Sequence, residues 1–253
     1  MKRTRTNTAS TLLSVLVLVA VWQVAALFGE SRVFPAPSTV AAIVAAEIAS
    51  GDLPYHLSAT LMRVLAAFTL ALTLGTAIGL AMGRIRAVDR ALDVWLVVLL
   101  NLPALVIIIL AYVWFGLNET AAIGAVALNK LPNVIVTIRE GARALDADLD
   151  QMAKAFRLSW RKRLFDVVLP QLQPYVAASA RSGLSLVWKI VLVVELLGRS
   201  NGVGFQLNLF FQLFDVASIF AYAISFVVVM LTIELLVLQP IELRANRWRV
   251  RTT

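Results

Sequence analysis

Gln151-Met152-Ala153-Lys154-Ala155-Phe156-Arg157-Leu158-Ser159-Trp160-Arg161-Lys162-Arg163-Leu164-Phe165-Asp166-Val167-Val168-Leu169-Pro170 lies between two long apolar runs of a 253-residue chain. A connection between two packed helices needs only a few polar residues. This one is basic, amphipathic and helical in its own period, so it reads as a docking surface for another protein and the chain as a subunit. Met152, Ala155 and Phe156 fall on one helical face, Leu164, Val167 and Val168 on another. Ser159 is placed to cap a second helix and Pro170 to end it, giving two short helices joined at Leu158-Ser159. The alternative is a basic helix resting on anionic lipid headgroups. The pairing of two helices across a turn favours docking.

Composition narrows the setting. With 60% hydrophobic residues and a mean hydropathy of +0.84, the chain has too little polar surface to cover a water-soluble globule of its size. The net charge of +8 comes from short basic clusters between apolar runs, where positive charge sets membrane orientation, so nucleic acid is not expected as a partner. Cysteine is absent, which excludes disulfides, thiolate metal sites and a cysteine nucleophile.

The chain divides into six expected spans, 11–28, 64–82, 92–115, 121–138, 176–197 and 216–238, each close to the ~20 residues that cross about 30 Å of hydrocarbon. Together they make one transmembrane domain over residues 1–253, an all-α membrane protein in the lipid bilayer. Lys2, Arg3 and Arg5 before the first run also suit a signal peptide. The apolar core is too long for one and no clear small-residue cleavage site follows, so a retained anchor is expected. Placing the N-terminus in the cytoplasm puts 17 of the 23 Lys and Arg residues on that side, including the clusters at Arg84, Arg86 and Arg90, at Arg139 and Arg143, and at Lys154 to Arg163. Both termini and the 151–170 stretch are then cytoplasmic.

Outside the expected spans, Phe34-Pro35-Ala36-Pro37-Ser38 is a rigid extended piece with Ser38 as a helix N-cap. A surface helix over 39–48, stopped by Gly51 and Pro54, follows. Gly198, Gly202 and Gly204 break the chain after the fifth span, and 205–214 is an aromatic segment that re-enters or skims the interface.

These features together resemble the permease subunits of ABC importers. Their cytoplasmic loop has the pattern Glu-Ala-Ala, three residues, Gly, nine residues, Ile-x-Leu-Pro. Ala153, Leu169 and Pro170 match, Val167 stands for Ile, and Gln151, Met152 and Arg157 replace Glu, Ala and Gly. Phe34 to Ser38, Trp114-Phe115-Gly116-Leu117 and Glu195-Leu196-Leu197-Gly198-Arg199-Ser200-Asn201-Gly202-Val203-Gly204 are similar to the nitrate/sulfonate/taurine branch in order and spacing. The resemblance runs from Phe34 to Trp248. It implies a type I importer (MetI-like) fold with coupling helices between spans 4 and 5, inner-membrane location and a second copy of the permease. It also implies two cytoplasmic ABC ATPase subunits and a solute-binding protein on the outer side. Gln151, Met152, Ala153, Lys154, Ala155, Phe156 and Arg157 correspond to the helix that enters the ATPase groove. Leu158 follows it, and Ser159 to Pro170 form its support.

Ionisable groups at membrane depth are costly unless partnered or wetted, so each is a candidate. Asn101, Asn129, Lys130, Arg181, Lys189 and Glu195 are the pathway candidates, with Glu234 in the sixth span. Arg181 and Lys189 fall within ~80° of each other on a helix and could line one wall. Such a cationic wall suits an anionic solute. The competing reading pairs Lys130 or Lys189 with Glu195 or Glu234 between packed spans. Arg63 is expected to snorkel or to tie two protomers together. Gly75, Gly79 and Gly83 form a ladder for close helix contact within or between protomers. Pro103 and Pro132 are expected to kink their spans, with Asn101 and Asn129 beside them to satisfy freed carbonyls or to touch solute. His56 is read as structural or solvated.

No enzyme is expected. A phosphate-cradling Gly-x-x-x-x-Gly-Lys-Ser/Thr segment is missing, so ATP is hydrolysed by a separate chain, and no HExxH or GxSxG constellation occurs. Neither cofactor nor metal is expected. An ion-coupled secondary carrier, the rival class, needs a chain of acidic residues and usually repeated halves, and only Glu195 and Glu234 lie deep. Within the importer class, a neutral or cationic cofactor precursor such as a pyrimidine is the alternative cargo.

Overall fold

Helices α3 (Asp52–Arg84) and α6 (Glu119–Arg143) lie side by side as the spine of the molecule, and three glycines explain why they can approach. A Cβ at Gly75 would stand 2.6 Å from Val134 Cβ, one at Gly79 2.8 Å from the Ile135 carbonyl oxygen, and one at Gly83 2.5 Å from Ala142 Cβ. The pairing advances along both helices together, so they run in the same direction. The glycine ladder therefore packs within one protomer. It sets backbone against backbone, where dispersion and not water exclusion holds helices together in lipid.

The computed structural model of the chain describes residues 8–29 and 34–240; the basic flank at Lys2, Arg3 and Arg5 and the arginines from Arg244 to Arg251 lie outside the described residues. Described residues form only helices and their connections: α1 (Thr8–Gly29), α2 (Pro37–Ser50), α3, α4 (Arg86–Asn101), α5 (Ala104–Phe115), α6, α7 (Ala147–Ala155), α8 (Trp160–Lys162), a π-helical segment Arg163–Val168, α9 (Leu169–Gly198), α10 (Val203–Gln212), α11 (Val216–Ile233) and a second π-helical segment Glu234–Leu238. Helix α9 runs antiparallel to α6, with Gly141 under the Tyr175 ring and Gly183 under the Lys130 side chain. The central core is Ala67, Ala71, Ile108, Ala122, Ala125, Val126, Val187, Val191 and Val194. These small and β-branched side chains suit close helix packing. Around this core, large apolar side chains such as Leu16, Leu65, Val113 and Leu236 are exposed, as lipid-facing residues are.

Among the described residues, α3, α6 and Val216–Leu236 are long and apolar enough to cross a membrane, and α4 with α5 makes a fourth crossing if taken as one. That pair corrects the expected span 92–115 in degree: at Pro103, where a kink was expected, the chain turns by 101° between them. Leu102 is extended (φ −74°, ψ 125°), as is Pro103 (φ −61°, ψ 136°), because the proline ring forces the residue before it out of the helical region. Pro132, by contrast, stays inside an unbroken α6.

Three other boundaries differ. Helix α2 starts at Pro37 with Ala36, not Ser38, at the N-cap; proline suits the first helical position because the N–H it lacks has no partner there. Gly51 (φ 88°) ends α2 as expected, but Pro54 sits in the first turn of α3 and stops nothing. Pro170 does not end its helix either: the helix continues through it into α9. The preceding segment is π-helical, with the Leu169 N–H donating to the Leu164 carbonyl. The residue without an N–H thus falls where the hydrogen-bond ladder changes pitch.

Gly79→Ala should lower protomer stability by about 1–3 kcal/mol because its methyl meets a backbone carbonyl. Gly124→Ala, with open space around it, should be neutral or gain up to about 1 kcal/mol of helix propensity. Thermal unfolding in detergent compares the two, and equal effects would remove the close-packing explanation.

Candidate functional site: a helical elbow and an ion-paired clasp

Helix α7 begins at Asp146, whose side chain accepts the Asp148 N–H, and ends in a Schellman motif. The Leu158 N–H donates to the Ala153 carbonyl (2.9 Å) and the Arg157 N–H to that of Lys154 (3.0 Å). In that motif the residue after the C-cap adopts the left-handed conformation and is usually glycine. Here it is Arg157, with φ 47°. The family pattern's glycine and this arginine therefore occupy one backbone geometry, and the arginine bears the strain of its Cβ. Ser159 then caps α8 by accepting the Lys162 N–H, as expected.

The faces of this elbow are those the helical period predicts. Ala153 is the inward residue of α7, 1% exposed, while Met152 and Phe156 (75% exposed) point out together with Trp160 and Phe165. Val167 and Val168 are buried as predicted. Gln151, Lys154, Ala155 and Arg157 are exposed, and Leu158 is half-buried.

Asp150 moors the elbow. Its Oδ1 accepts from Arg84 Nη2 (3.0 Å), at the end of α3, and from Arg163 Nε (2.8 Å), in the π-helical segment. Its Oδ2 lies 3.3 Å from Lys154 Nζ. Burial acts to raise the Asp150 carboxyl, but the hydrogen bonds from Arg163, Arg84 and Lys154 outweigh it and bring it from 3.8 to about 2. Neither Asp150 nor Arg84 was singled out by the sequence reading; the acid four residues before Lys154 was the available signal.

At the opposite end of α3, Arg63 is 5% exposed and neither snorkels nor reaches another protomer. Its Nε and Nη2 bind both oxygens of Glu119 (2.9 and 2.6 Å), and its Nη1 donates to Glu195 Oε1 (2.7 Å) and to the Asn201 carbonyl (2.9 Å). The Asn201 side-chain oxygen accepts from Nη2 as well. Glu195 Oε2 lies 2.9 Å from both Thr60 Oγ1 and the Gly204 amide. Arg199 closes the ring through Glu119 (2.6 Å) and the Leu117 carbonyl (2.9 Å). His56 Nδ1 accepts the Gly202 N–H (3.0 Å), and Thr60 Oγ1 accepts that of Val203 (2.8 Å). The chain folds back here at Gly202 (φ 109°), where a Cβ would stand 2.3 Å from the Glu195 carboxyl carbon.

This clasp corrects two sequence readings, those of Glu195 and its partner, and bears out the structural reading of His56. Glu195, expected on a pathway, is 0% exposed and its carboxylate is fully engaged. Its ion-pair partner is Arg63, not Lys130 or Lys189. His56 holds the returning chain. Arg63, Glu119 and Arg199 were missed as a group because they lie on α3, on α6 and just past the end of α9, far apart in sequence.

The remaining candidates are dispersed. Asn101 donates to its own helix at the Val97 carbonyl (2.8 Å). Asn129 is half-buried in α6 and makes no hydrogen bond among the described residues. Lys130 is buried inside the protomer. Arg181 and Lys189 are exposed on α9, Arg181 at a groove lined also by Ser185, Trp188 and Glu234, and Lys189 with its Nζ 5.5 Å from the Trp188 ring centre. Ser182 and Ser185 are exposed beside them, so a polar stripe about 100° wide runs along α9.

Residues 71–240 match the family described as "Binding-protein-dependent transport system inner membrane component". SsuC of Escherichia coli (strain K12), named as an aliphatic sulfonates transport permease protein, is 37% identical over 190 residues, covering 74% of this chain and 72% of its own. The nitrate import permease protein NrtB of Synechococcus elongatus is 26% identical over 200 residues, covering 75% and 71%. The taurine transport system permease protein TauC of Escherichia coli (strain K12) is 27% identical over 153 residues, covering 60% and 56%. Among solved structures, the crystal structure of an amino acid ABC transporter with histidines aligns with a TM-score of 0.56 at 23% identity, over 76% of this chain and 94% of that one. It shares the fold.

Arg157→Gly should preserve the elbow and raise its stability by up to ~1 kcal/mol, whereas Arg157→Val should lower it by about 1–3 kcal/mol. Limited proteolysis at the elbow reads both changes, and an unchanged rate in the valine variant would refute the strain. A depressed carboxyl contributes stability fully present above its unfolded pKa and lost as pH falls through the folded one. The Asp150 mooring should therefore hold down to about pH 4 and loosen only between about 4 and 2, monitored by the same cleavage.

Proposed function

Taking as its premise that the chain belongs to the family of binding-protein-dependent inner-membrane transport components, we propose that it is the membrane-spanning permease subunit of an ABC importer for a small organic or inorganic anion. Alternating access moves the solute, and ATP is hydrolysed by partner chains. The observation that carries the reading is the exposed stripe Arg181, Ser182, Ser185 and Lys189 on α9. Cationic side chains exposed at membrane depth, on a face turned away from the packed core, suit a wall wetted by water or solute. A cationic wall raises the local concentration of an anion and lowers that of a cation. The relatives named for sulfonates, nitrate and taurine have a negatively charged oxygen-bearing group in common. They favour this cargo over a neutral or cationic precursor.

The elbow supports the coupling role. Met152, Phe156, Trp160 and Phe165 are large apolar side chains left exposed on a basic loop, a composition suited to a protein groove with an acidic rim. Asp150 joins that surface to α3 through Arg84 and to the root of α9 through Arg163. A push on α7 therefore reaches the helix that carries the polar stripe. On this reading both termini and the elbow face the cytoplasm, residues 1–253 form one six-span domain, and a second copy completes the pathway. The solute-binding protein delivers from the other side. Asn101 and Asn129 remain assigned to the solute's route, and Glu195 passes from the pathway wall to the outer clasp.

ATP-dependent uptake of methanesulfonate and nitrate into liposomes, with the ATPase and binding protein reconstituted, tests the assignment; no anion uptake by the wild-type assembly overturns it. Phe156→Asp should cut uptake about 30-fold or more, the effect of losing a central apolar anchor, while membrane insertion is unchanged. Lys189→Ala should slow anion uptake without loss of assembly. Phe156, not the inward Ala153, is the informative position, because a large side chain at Ala153 disrupts the elbow itself.

A further inference from the structure

Lys130 stands at the middle of α6, 3% exposed, and makes no hydrogen bond or ion pair with any described residue. Its stem crosses α9 at Gly183: a Cβ there would lie 2.9 Å from Lys130 Cε, 3.7 Å from Nζ and 3.3 Å from the Phe68 ring of α3. One turn along α9, about 6 Å toward the cytoplasmic end, Ser179 is buried with a hydroxyl that has no partner. The hydroxyl of Thr76, on α3 two turns beyond Phe68, is likewise buried and unpartnered. Acidic side chains are engaged elsewhere: Glu195 and Glu119 belong to the outer clasp and Asp150 to the elbow. A lone ammonium among buried side chains costs several kcal/mol unless something negative joins it, and the orphaned Ser179 hydroxyl a turn away is a further donor without an acceptor.

We propose that Lys130 and Ser179, with Thr76 a turn beyond, form a transient seat for the anionic head group of the solute inside each protomer, exposed when the α6–α9 seam opens at Gly183. The seat rests on the importer reading above and adds a location to it. An oxyanion supplies what the seam lacks, a full negative charge for the ammonium and acceptor oxygens for the hydroxyls. In the present conformation the absent side chain of Gly183 lets the seam close over the Lys130 stem. The order from Lys130 to Ser179 to Thr76 runs inward, so donors for the same head group recur along the helix axis. Neither Arg181 nor Lys189 belongs to this seat, since both lie on the exposed side of α9.

The test uses the complete permease–ATPase assembly in detergent, with sodium methanesulfonate titrated at constant ionic strength against sodium chloride and thermal stabilisation as the readout. In the wild type, methanesulfonate should stabilise and chloride should not. Lys130→Met should raise the half-saturating concentration about tenfold or more, the loss expected for one charge-assisted hydrogen bond. Lys130→Arg should restore most of the effect, and Ser179→Ala should weaken it about threefold. If Lys130→Met does not assemble, Ser179→Ala carries the test alone, its normal titration counting against the seat. No stabilisation of the wild type, equal stabilisation by chloride, or unchanged titration in Lys130→Met overturns the proposal. Each of these leaves ATP-dependent anion uptake by the wild type, and hence the importer reading, standing.

Discussion

The backbone-to-backbone contact of α3 with α6 is the constraint on which the other features depend. Three side chains reduced to hydrogen bring the helices close enough that their register is fixed to the residue. Both ends of the seam are then tied by charge. Arg63 of α3 meets Glu119 of α6 at one end, while at the other Arg139 and Arg143 of α6 bind Asp89 on α4 and Arg84 of α3 binds Asp150. A slip of either helix by one turn would separate all of these partners. In lipid, where no hydrophobic force gathers helices, geometry of this kind replaces it.

The two ionic ends differ in what they cost to disturb. Arg63 and Glu195 are buried, and removing one member of a buried pair leaves an uncompensated charge, a loss of about 3–5 kcal/mol. The pairs of Arg139 and Arg143 with Asp89, Asp93 and Glu140 are partly open to water, where such contacts are worth about 0–1 kcal/mol each. One end is therefore a fixed clasp, and the other can rearrange at small cost. Under the proposed function, this asymmetry suits a subunit that receives motion at the elbow while keeping the loop at the other end folded. The stiffness of the clasp also explains Gly202 and Gly204, which bring the backbone against Glu195.

The membrane setting, the glycine ladder, the cap at Ser159 and the buried Val167 and Val168 could be read from local pattern, because composition and helical period report them directly. The family too was legible, from motifs spread along the chain. What was not legible depends on contacts between distant helices. Arg63 looks like a surface residue of one helix until Glu119 and Glu195 arrive from two others. Glu195 looks like a deep acid facing a pathway until three donors converge on it. Pro103 and Pro170 show the same limit: one breaks its span by 101° and the other interrupts nothing. The difference lies in the hydrogen-bond pitch of the preceding turn, which the residue types do not announce. Arg157 is the reverse case, an apparent departure from pattern that the backbone angle explains.

The π-helical segment Arg163–Val168 has a mechanical consequence for everything beyond it. A helix wound with five-residue hydrogen bonds stores one surplus residue relative to an α-helix. Releasing or absorbing that residue turns the rest of the rod by about 100° and shifts it about 1.5 Å along its axis. Since α9 continues from this segment without a break, a small rewinding at its root acts like a screw thread. With Glu195 held in the clasp near the far end of the shaft, such a turn would be taken up as torsion along the stretch that carries Arg181 and Lys189.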